Sequence, residues 1–260
     1  MILTIFFLSL FGGFCAGLLG VGGAVLLIPL LLTVPKWMGV GELSMHEVAG
    51  LTMLQVLAAS ATGWLAHRRS GFAHMPTVLN VGLPMGISSF VGAAVSKSMT
   101  AETMLCIFGC LVALAFLMLI KGAPDESLET RDFEFNRFLS IKNGSGVGFI
   151  AGVLGAGGGF ILIPIMIKVL RIPVKVAVGS SLGIVFIGAL LGALGKIVTL
   201  QVEWTYLLPV IAGALPSSLV GAQVSKRISA ARLRHALLFL MSIILVKTLY
   251  DLFRIFTSGN

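Results

Sequence analysis

Charged residues are scarce in this sequence. Asp, Glu, Lys and Arg make up 11% of the 260 residues and hydrophobic residues 57%, with a mean hydropathy of +1.06. Soluble domains carry about a quarter charged residues, so this composition excludes a water-soluble protein and predicts an integral membrane protein. Because a spanning helix needs about 20 apolar residues, the length accommodates roughly eight to ten passes with no soluble domain beside them.

Cysteine is also rare. The three cysteines, Cys15, Cys106 and Cys110, are odd in number and lie within apolar runs without a CxxC pair, which excludes a disulfide framework and a zinc site. Cys15 lies one turn before a group of glycines and could contact a sulfur-containing substrate, or it could act as a small buried hydrophobe.

Three further absences restrict the function. The basic residues are scattered singly and form no stripe with aromatic residues, so no nucleic-acid partner is expected. No nucleophile, base and orienting group occur together, so we expect neither an enzyme nor a cofactor or metal. Residues 1–10 contain no Lys or Arg, so they lack the basic region of a signal peptide and are expected to remain in the mature protein.

A glycine-rich apolar stretch occurs twice. Residues 13–29 and 148–164 are identical at eleven of seventeen positions with a constant offset of 135. Both copies contain Gly-x-x-Gly-x-Gly-Gly followed by Pro, at Gly17 to Pro29 and Gly152 to Pro164. A second pair, 88–101 and 217–230, is identical at nine of fourteen positions with an offset of 129. Two separate matched blocks indicate a tandem duplication.

The first copy cannot be one upright helix. Residues 2–34 would span about 50 Å at 1.5 Å per residue, against a hydrocarbon core of about 30 Å. The sequence therefore predicts two shorter helices with a break at Gly20, Gly22 and Gly23, and a matching broken segment at 144–170. The other predicted spans are 48–66, 76–95, 103–120, 176–195, 204–224 and 233–256.

The predicted fold is an all-α polytopic membrane protein. It comprises an N-terminal repeat at 1–120, a cytoplasmic linker at 121–142 and a C-terminal repeat at 143–260, each repeat having a broken, re-entrant first helix and three transmembrane helices.

Basic residues predict that the repeats are inverted. If each broken segment crosses the membrane once, the 18 Lys and Arg divide nine to nine between the two sides. If each is a hairpin that returns to its own side, thirteen lie inside, which is the bias that orients membrane proteins. Both termini are then outside, with five basic residues: Lys36, Lys97, Lys196, Lys247 and Arg254.

The glycine breaks are the candidate binding site. Backbone without helical hydrogen bonds is tolerated at membrane depth only where it is buried in protein or lines a wet cavity, and paired broken helices mark substrate sites in transporters with inverted repeats. The N–H groups at the start of each returning half-helix carry the positive end of a helix dipole. Close helix packing is the alternative role for these glycines. The predicted backbone site residues are Gly20, Gly22, Gly23, Ala24, Gly155, Gly157, Gly158 and Gly159.

Neutral polar side chains complete the predicted site. The spans are almost free of internal charge, which argues against a cation transporter, and two facing dipoles would hold a small anion without a buried Lys or Arg. The candidate side chains are Thr52, Gln55, Ser180 and Ser181, with Thr52 and Ser180 as a symmetric pair. For each hydroxyl the alternative is a bond to a carbonyl of its own helix.

The duplicated Gly-x-x-Gly-x-Gly-Gly-x-x-x-x-x-Pro motif resembles that of the TauE/SafE family, the sulfite exporter-like transporters also called toluene sulfonate uptake permeases. The resemblance covers essentially the whole chain. Ala49-Gly-Leu-Thr52 replaces the Ala177-Val-Gly-Ser-Ser181 of the second half, so the small polar pair is less complete in the first half. The resemblance implies transport of small sulfur-containing anions such as sulfite, thiosulfate or organosulfonates.

We therefore expect a secondary transporter in the cell (plasma or inner) membrane, whose partners are a small anionic substrate and the lipid bilayer. The two halves would rock about the paired glycine breaks. The alternatives are a carrier for another small anion, such as a carboxylate, and a passive anion channel. A channel would need rings of charge or a continuous polar stripe. The sequence leaves the transported anion, the direction, the coupling ion and the oligomeric state open.

Overall fold

The computed structural model describes residues 1–20, 22–68, 73–120, 136–225, 227–228 and 230–258, and every regular element among them is helical. The predicted all-α class is confirmed. The helices are α1 (Ile2–Leu19), α2 (Ala24–Trp37), α3 (Met45–Arg68), α4 (Met75–Ser96), α5 (Ala101–Ile120), α6 (Arg137–Leu154), α7 (Gly159–Lys168), α8 (Val174–Val198), α9 (Leu207–Ser225) and α10 (Ala230–Ser258), with a 3-10 turn at Trp204–Tyr206.

Most of the predicted linker, at 121–135, lies outside the described residues. α6 begins at Arg137, where Asn136 accepts a hydrogen bond from the backbone N–H of Leu139 (3.0 Å). The last part of the predicted linker is therefore helical. The division into two repeats joined by a cytoplasmic linker stays a prediction.

Six helices of the described chain are long and apolar enough to cross a membrane: α1, α3, α4, α5, α8 and α9. Large apolar side chains such as Leu3, Ile87, Leu117 and Leu208 are exposed on the outside of the bundle. An apolar surface of this kind is suited to lipid rather than water. Together these features indicate a multi-pass membrane protein.

The first broken segment folds back on itself. A Cβ atom placed on Gly12 of α1 would lie 3.6 Å from the Cβ of Leu27 of α2, although one straight helix would hold these residues about 22 Å apart. After α2, a Cβ atom on Gly41 would lie 3.4 Å from the sulfur of Met1. The chain thus returns to the end of the bundle from which it started, as a re-entrant hairpin does.

The second broken segment makes the same turn. A Cβ atom on Gly158 would lie 2.9 Å from a methyl of Val147 and 3.0 Å from the Cβ of Ala151. In the first segment Gly23 packs in the same way against Gly12 and Ala16, each 135 residues earlier. The break that the glycine pattern predicts is present in both copies.

The two halves of the chain are interlocked. Gly17 of α1 packs directly on the backbone carbonyl of Ser218 in α9, and Gly152 of α6 packs on that of Ser89 in α4. These contacts join the first duplicated block of one half to the second duplicated block of the other. Only glycine permits such an approach between backbones, so close packing explains these two glycines.

α3 and α8 form the centre of the bundle. In the apolar stretch of α3, 72% of the residues are buried within the protein, and in that of α8, 61% are buried. The buried share is 44% for α1 and 39% for α5. Gly183 of α8 packs against the indole ring of Trp64 in α3, which stacks on Phe186 with ring centroids 5.8 Å apart. The two central helices face each other and carry all four polar candidates of the sequence.

Candidate functional site

Left-handed glycines produce both breaks. In the first, φ is +70° at Gly20, +82° at Gly22 and +75° at Gly23. In the second, the residues 135 positions later, at 155, 157 and 158, have φ of +70°, +62° and +67°. L-residues with a side chain are strained in this region. The backbone conformation therefore explains why glycine occurs three times at matched positions.

Each break presents the start of a short helix inside the protein. The carbonyl of Gly23 accepts from the N–H of Leu27 (3.1 Å), and that of Gly158 accepts from the N–H of Leu162 (3.0 Å). No described side chain caps α2 or α7 at this end. The first-turn N–H groups of a helix have no partner within it, so both breaks offer backbone donors at the positive end of a dipole.

The two breaks meet at one side chain. A Cβ atom on Gly22 would lie 3.3 Å from a methyl of Val56, and one on Gly157 would contact the same methyl. Val185 of α8 closes the first break from the other side, 3.5 Å from the Gly22 Cβ position. Val56 lies at the middle of α3. The structure thus brings the predicted backbone residues of both halves together halfway along the central helices.

Gln55 directly precedes Val56 in α3 and is completely buried. Neither its amide oxygen nor its amide nitrogen has a hydrogen-bond partner among the described residues. Its nitrogen lies 3.4 Å from the Cβ position of Gly12, on the first hairpin. A buried amide without a partner is costly, so such a group in a native structure calls for an explanation, and a bound water or ion is one.

The three candidate hydroxyls are buried but have partners. Ser181 donates to the carbonyl of Gly20 (3.2 Å) and so ties α8 to the first break. Thr52 donates to the carbonyl of Val48 (2.7 Å) in its own helix. Ser180 accepts from the backbone N–H of His74 (3.0 Å), at the start of α4. Thr52 therefore makes the bond within its own helix, whereas the hydroxyl of Ser181 reaches a break residue.

The site is not fully symmetric. Alignment of Thr52 with Ser180 places Met53 opposite Ser181, and a thioether cannot donate to a carbonyl. In the second break Gly155 instead packs directly against the backbone of Ala49 in α3. Among the described contacts, Ser181 of α8 bonds to the first break, whereas Met53, its counterpart in α3, makes no such bond to the second break.

Lys196 is a buried basic residue near the end of α8. The predicted span 176–195 stops one residue before it, but α8 continues to Val198 and Lys196, the third residue from the end of the helix, is completely buried. Its ammonium group donates to Ser96 (2.6 Å), Gln201 (2.9 Å) and the carbonyl of Val153 (3.3 Å). The signal in the sequence was the apolar pair 197–198, which continues the run beyond the lysine.

The structure also describes Cys15 and two histidines. Cys15 is buried in α1, and within the described residues no group of three or more His, Cys, Asp and Glu could hold a metal ion. His46 bonds to the carbonyls of Ser96 and Met99 (both 3.1 Å), and His74 accepts from the N–H of Thr77 as the cap of α4. These histidines join helix ends.

Comparison with known proteins agrees with a transporter. The family model described as "Sulfite exporter TauE/SafE" matches residues 5–248. A probable membrane transporter protein of Xylella fastidiosa (strain 9a5c) is 29% identical over 85% of this chain and 83% of its own. The probable membrane transporter protein YunE of Bacillus subtilis is 24% identical over 92% of both chains.

The similarity extends to a third relative. The probable membrane transporter protein MJ0441 of Methanocaldococcus jannaschii is 24% identical over 85% of both chains. No solved structure matches the chain. Since the family model covers nearly all of the sequence and both glycine breaks, this chain belongs to the sulfite exporter TauE/SafE family of membrane transporters.

Proposed function

We propose that this protein is a secondary carrier of small sulfur-containing anions, such as sulfite, thiosulfate or organosulfonates, which bind where the two glycine breaks meet. The observation that carries the proposal is the contact of Gly22 and Gly157 with the same methyl of Val56, beside the unpartnered amide of Gln55. Two uncapped helix starts and a free amide are donors to an oxyanion that need no charged side chain.

The distribution of acids favours an anion over a cation. The described carboxylates lie outside the centre of the bundle, at Glu42, Glu47, Glu102, Glu203 and Asp251. Glu47 accepts from the N–H of Ser44 at the start of α3, and Asp251 pairs with Lys247. A cation or proton carrier normally places an acid on its path, and none of these carboxylates lies near Val56.

The choice of a sulfur-containing anion rests on the family, whose description is "Sulfite exporter TauE/SafE". An oxyanion with several oxygens has acceptors for both helix starts and for Gln55 at once. A carboxylate has only two oxygens and would leave more of these donors without a partner. A carrier for carboxylates remains the second outcome of the test below.

The inverted orientation of the repeats is part of this proposal. The reciprocal packing of α1 on α9 and of α6 on α4 supports a twofold relation between the halves, because such an axis exchanges these two pairs. Re-entrant hairpins on opposite sides would then meet near the midplane, as in transporters with inverted repeats. Alternating access would open the meeting point first to one side and then to the other.

Uptake into proteoliposomes tests the function. Purified protein is reconstituted and supplied with radiolabelled sulfite, thiosulfate, toluene sulfonate, sulfate and acetate. We expect saturable uptake of the first three, and its loss in the Gly22→Leu, Gly157→Leu double variant, because both leucines would fill the space at Val56. Gly146→Ala is the matched control, since a Cβ atom there meets nothing within 4 Å.

Three outcomes would contradict the proposal. Saturable uptake of acetate alone would make the protein a carboxylate carrier. Rates that never saturate, or unitary conductance in a planar bilayer, would make it a channel. A double variant that melts at the wild-type temperature and transports at the wild-type rate would move the site away from the breaks.

A further inference from the structure

Lys196 is the centre of a polar cluster that the proposed anion site does not use. Its ammonium group bonds to residues of three segments: Ser96 at the end of α4, Val153 at the end of α6 and Gln201 after α8. The amide nitrogen of Gln201 in turn donates to the carbonyl of Ala93 (2.9 Å). Lys196 and Ser96 are fully buried, and Gln201 is 8% exposed.

The charge of Lys196 has no counter-charge within the described chain. Its three partners are a hydroxyl, an amide oxygen and a backbone carbonyl, which satisfy its three donors but are neutral. Both ion pairs between described residues, Lys36 with Glu42 and Lys247 with Asp251, lie elsewhere. A glutamine could join the same helices without the cost of burying a charge. The hydrogen bonds alone therefore do not explain why this residue is a lysine.

The cluster adjoins the second glycine break. Val153, whose carbonyl receives the ammonium hydrogen bond, is two residues before Gly155. On α3, Ala49 packs against Gly155, and its neighbour Gly50 packs against the carbonyl of Gln201. Two consecutive residues of one helix thus touch the break and the cluster. Because Gly50 and Val56 are six residues apart on α3, the cluster lies about 9 Å along that helix from the place where the two breaks meet.

An intramembrane cation in an anion carrier has a natural partner in the transported anion. Arg68 stands at the equivalent position of α3, 128 residues earlier, so both central helices carry a basic residue there. We propose that Lys196, with Ser96 and Gln201, forms a second, transient site for the transported oxyanion between the end of the bundle and the second break. This inference rests on the proposed function and assigns it one further residue.

Kinetics of Lys196 variants test the inference. In the same proteoliposomes, Lys196→Gln keeps hydrogen-bonding capacity but removes the charge, and we expect the KM for sulfite to rise by at least about tenfold, the effect of losing a charge-assisted hydrogen bond. We expect a smaller change in the maximal rate. Lys196→Arg keeps the charge and should retain most of the wild-type KM.

Two further measurements separate this role from a structural one. Lys97→Gln removes an exposed charge next to Ser96 and should leave the KM unchanged. Sulfite should raise the melting temperature of the wild type and of Lys97→Gln, and raise that of Lys196→Gln much less at the same concentration. A lysine that only joins helices would lower the melting temperature and the maximal rate but keep both the KM and the sulfite-induced shift.

The two proposals fail differently. If the wild type takes up none of the sulfur-containing anions, the proposed function is wrong. If it does so and Lys196→Gln keeps the wild-type KM, or Lys97→Gln raises it equally, the second site is wrong while the first stands.

Discussion

At the scale of single residues, Gln55 and Thr52 are both polar, both fully buried and three positions apart on α3. The hydroxyl of Thr52 donates a hydrogen bond to the carbonyl of Val48 in its own helix. Gln55 has an amide that no described residue satisfies. A group that costs stability and is nevertheless retained is a better candidate for substrate binding than one that is satisfied locally.

Replacement of these two residues should have opposite consequences. Gln55→Leu should abolish saturable sulfite uptake while keeping or raising stability, by roughly 1 kcal/mol, because a buried unsatisfied amide is removed. Thr52→Val should leave the KM for sulfite near its wild-type value. Uptake assays and thermal melting of both variants check this. Loss of uptake only in Thr52→Val would reverse the assignment.

At the scale of elements, the helices α1 and α6 combine two uses of glycine. Gly17 and Gly152 lie within regular helices and allow contact with a neighbouring backbone. Gly20 and Gly155 end those helices in the left-handed conformation. Close packing was the alternative explanation for the whole glycine motif. Close packing accounts for the first glycine of each copy, whereas the next three also have positive φ angles that require glycine.

The packing glycines should be intolerant of even one methyl group. Gly17→Ala or Gly152→Ala would place a Cβ atom against a backbone carbonyl of α9 or α4, and we expect each to destabilise the protein by about 1–3 kcal/mol, the usual cost of overpacking. Melting curves in detergent measure the effect. Gly146→Ala in the same helix as Gly152 should be neutral or slightly stabilising, since alanine favours helix and meets no neighbour there.

At the scale of the whole molecule, the sequence halves are not separate bodies. α1 is locked to α9, and α6 to α4, through contacts between backbones. Rocking of one half against the other would break both interfaces. We therefore expect the bodies that move during transport to combine helices from both halves.

The prediction at this scale concerns which side of the membrane each terminus and loop faces. Both termini and the loop after α2 should face outside and residues 121–135 the cytoplasm, because only then do thirteen of the 18 basic residues lie inside. The proximity of Gly41 to Met1 places the N-terminus and the loop after α2 on the same side. Membrane-impermeant labelling of cysteines introduced at positions 2, 41, 128 and 260 measures which side each segment faces. A terminus that is labelled only after the membrane is opened would contradict this topology.

Local chemistry was enough to predict the membrane class, the duplication and both breaks. Apolar composition determines the solvent that the helices prefer, and consecutive glycines within an overlong apolar run predict a left-handed turn wherever the chain folds. The twelve predicted site residues are all buried. The residue types follow from local rules, because a left-handed break favours glycine and a membrane span disfavours charged side chains.

Only the tertiary structure decided which of these residues meet. The packing of α3 and α8 between the hairpins places Gly22 and Gly157 against the same side chain, that of Val56. The same packing leaves Gln55 without a partner among the described residues and buries Lys196. Such contacts join residues more than 100 positions apart. Periodicity and composition describe each helix by itself, whereas the neighbours of a side chain are set by the packing of several helices at once.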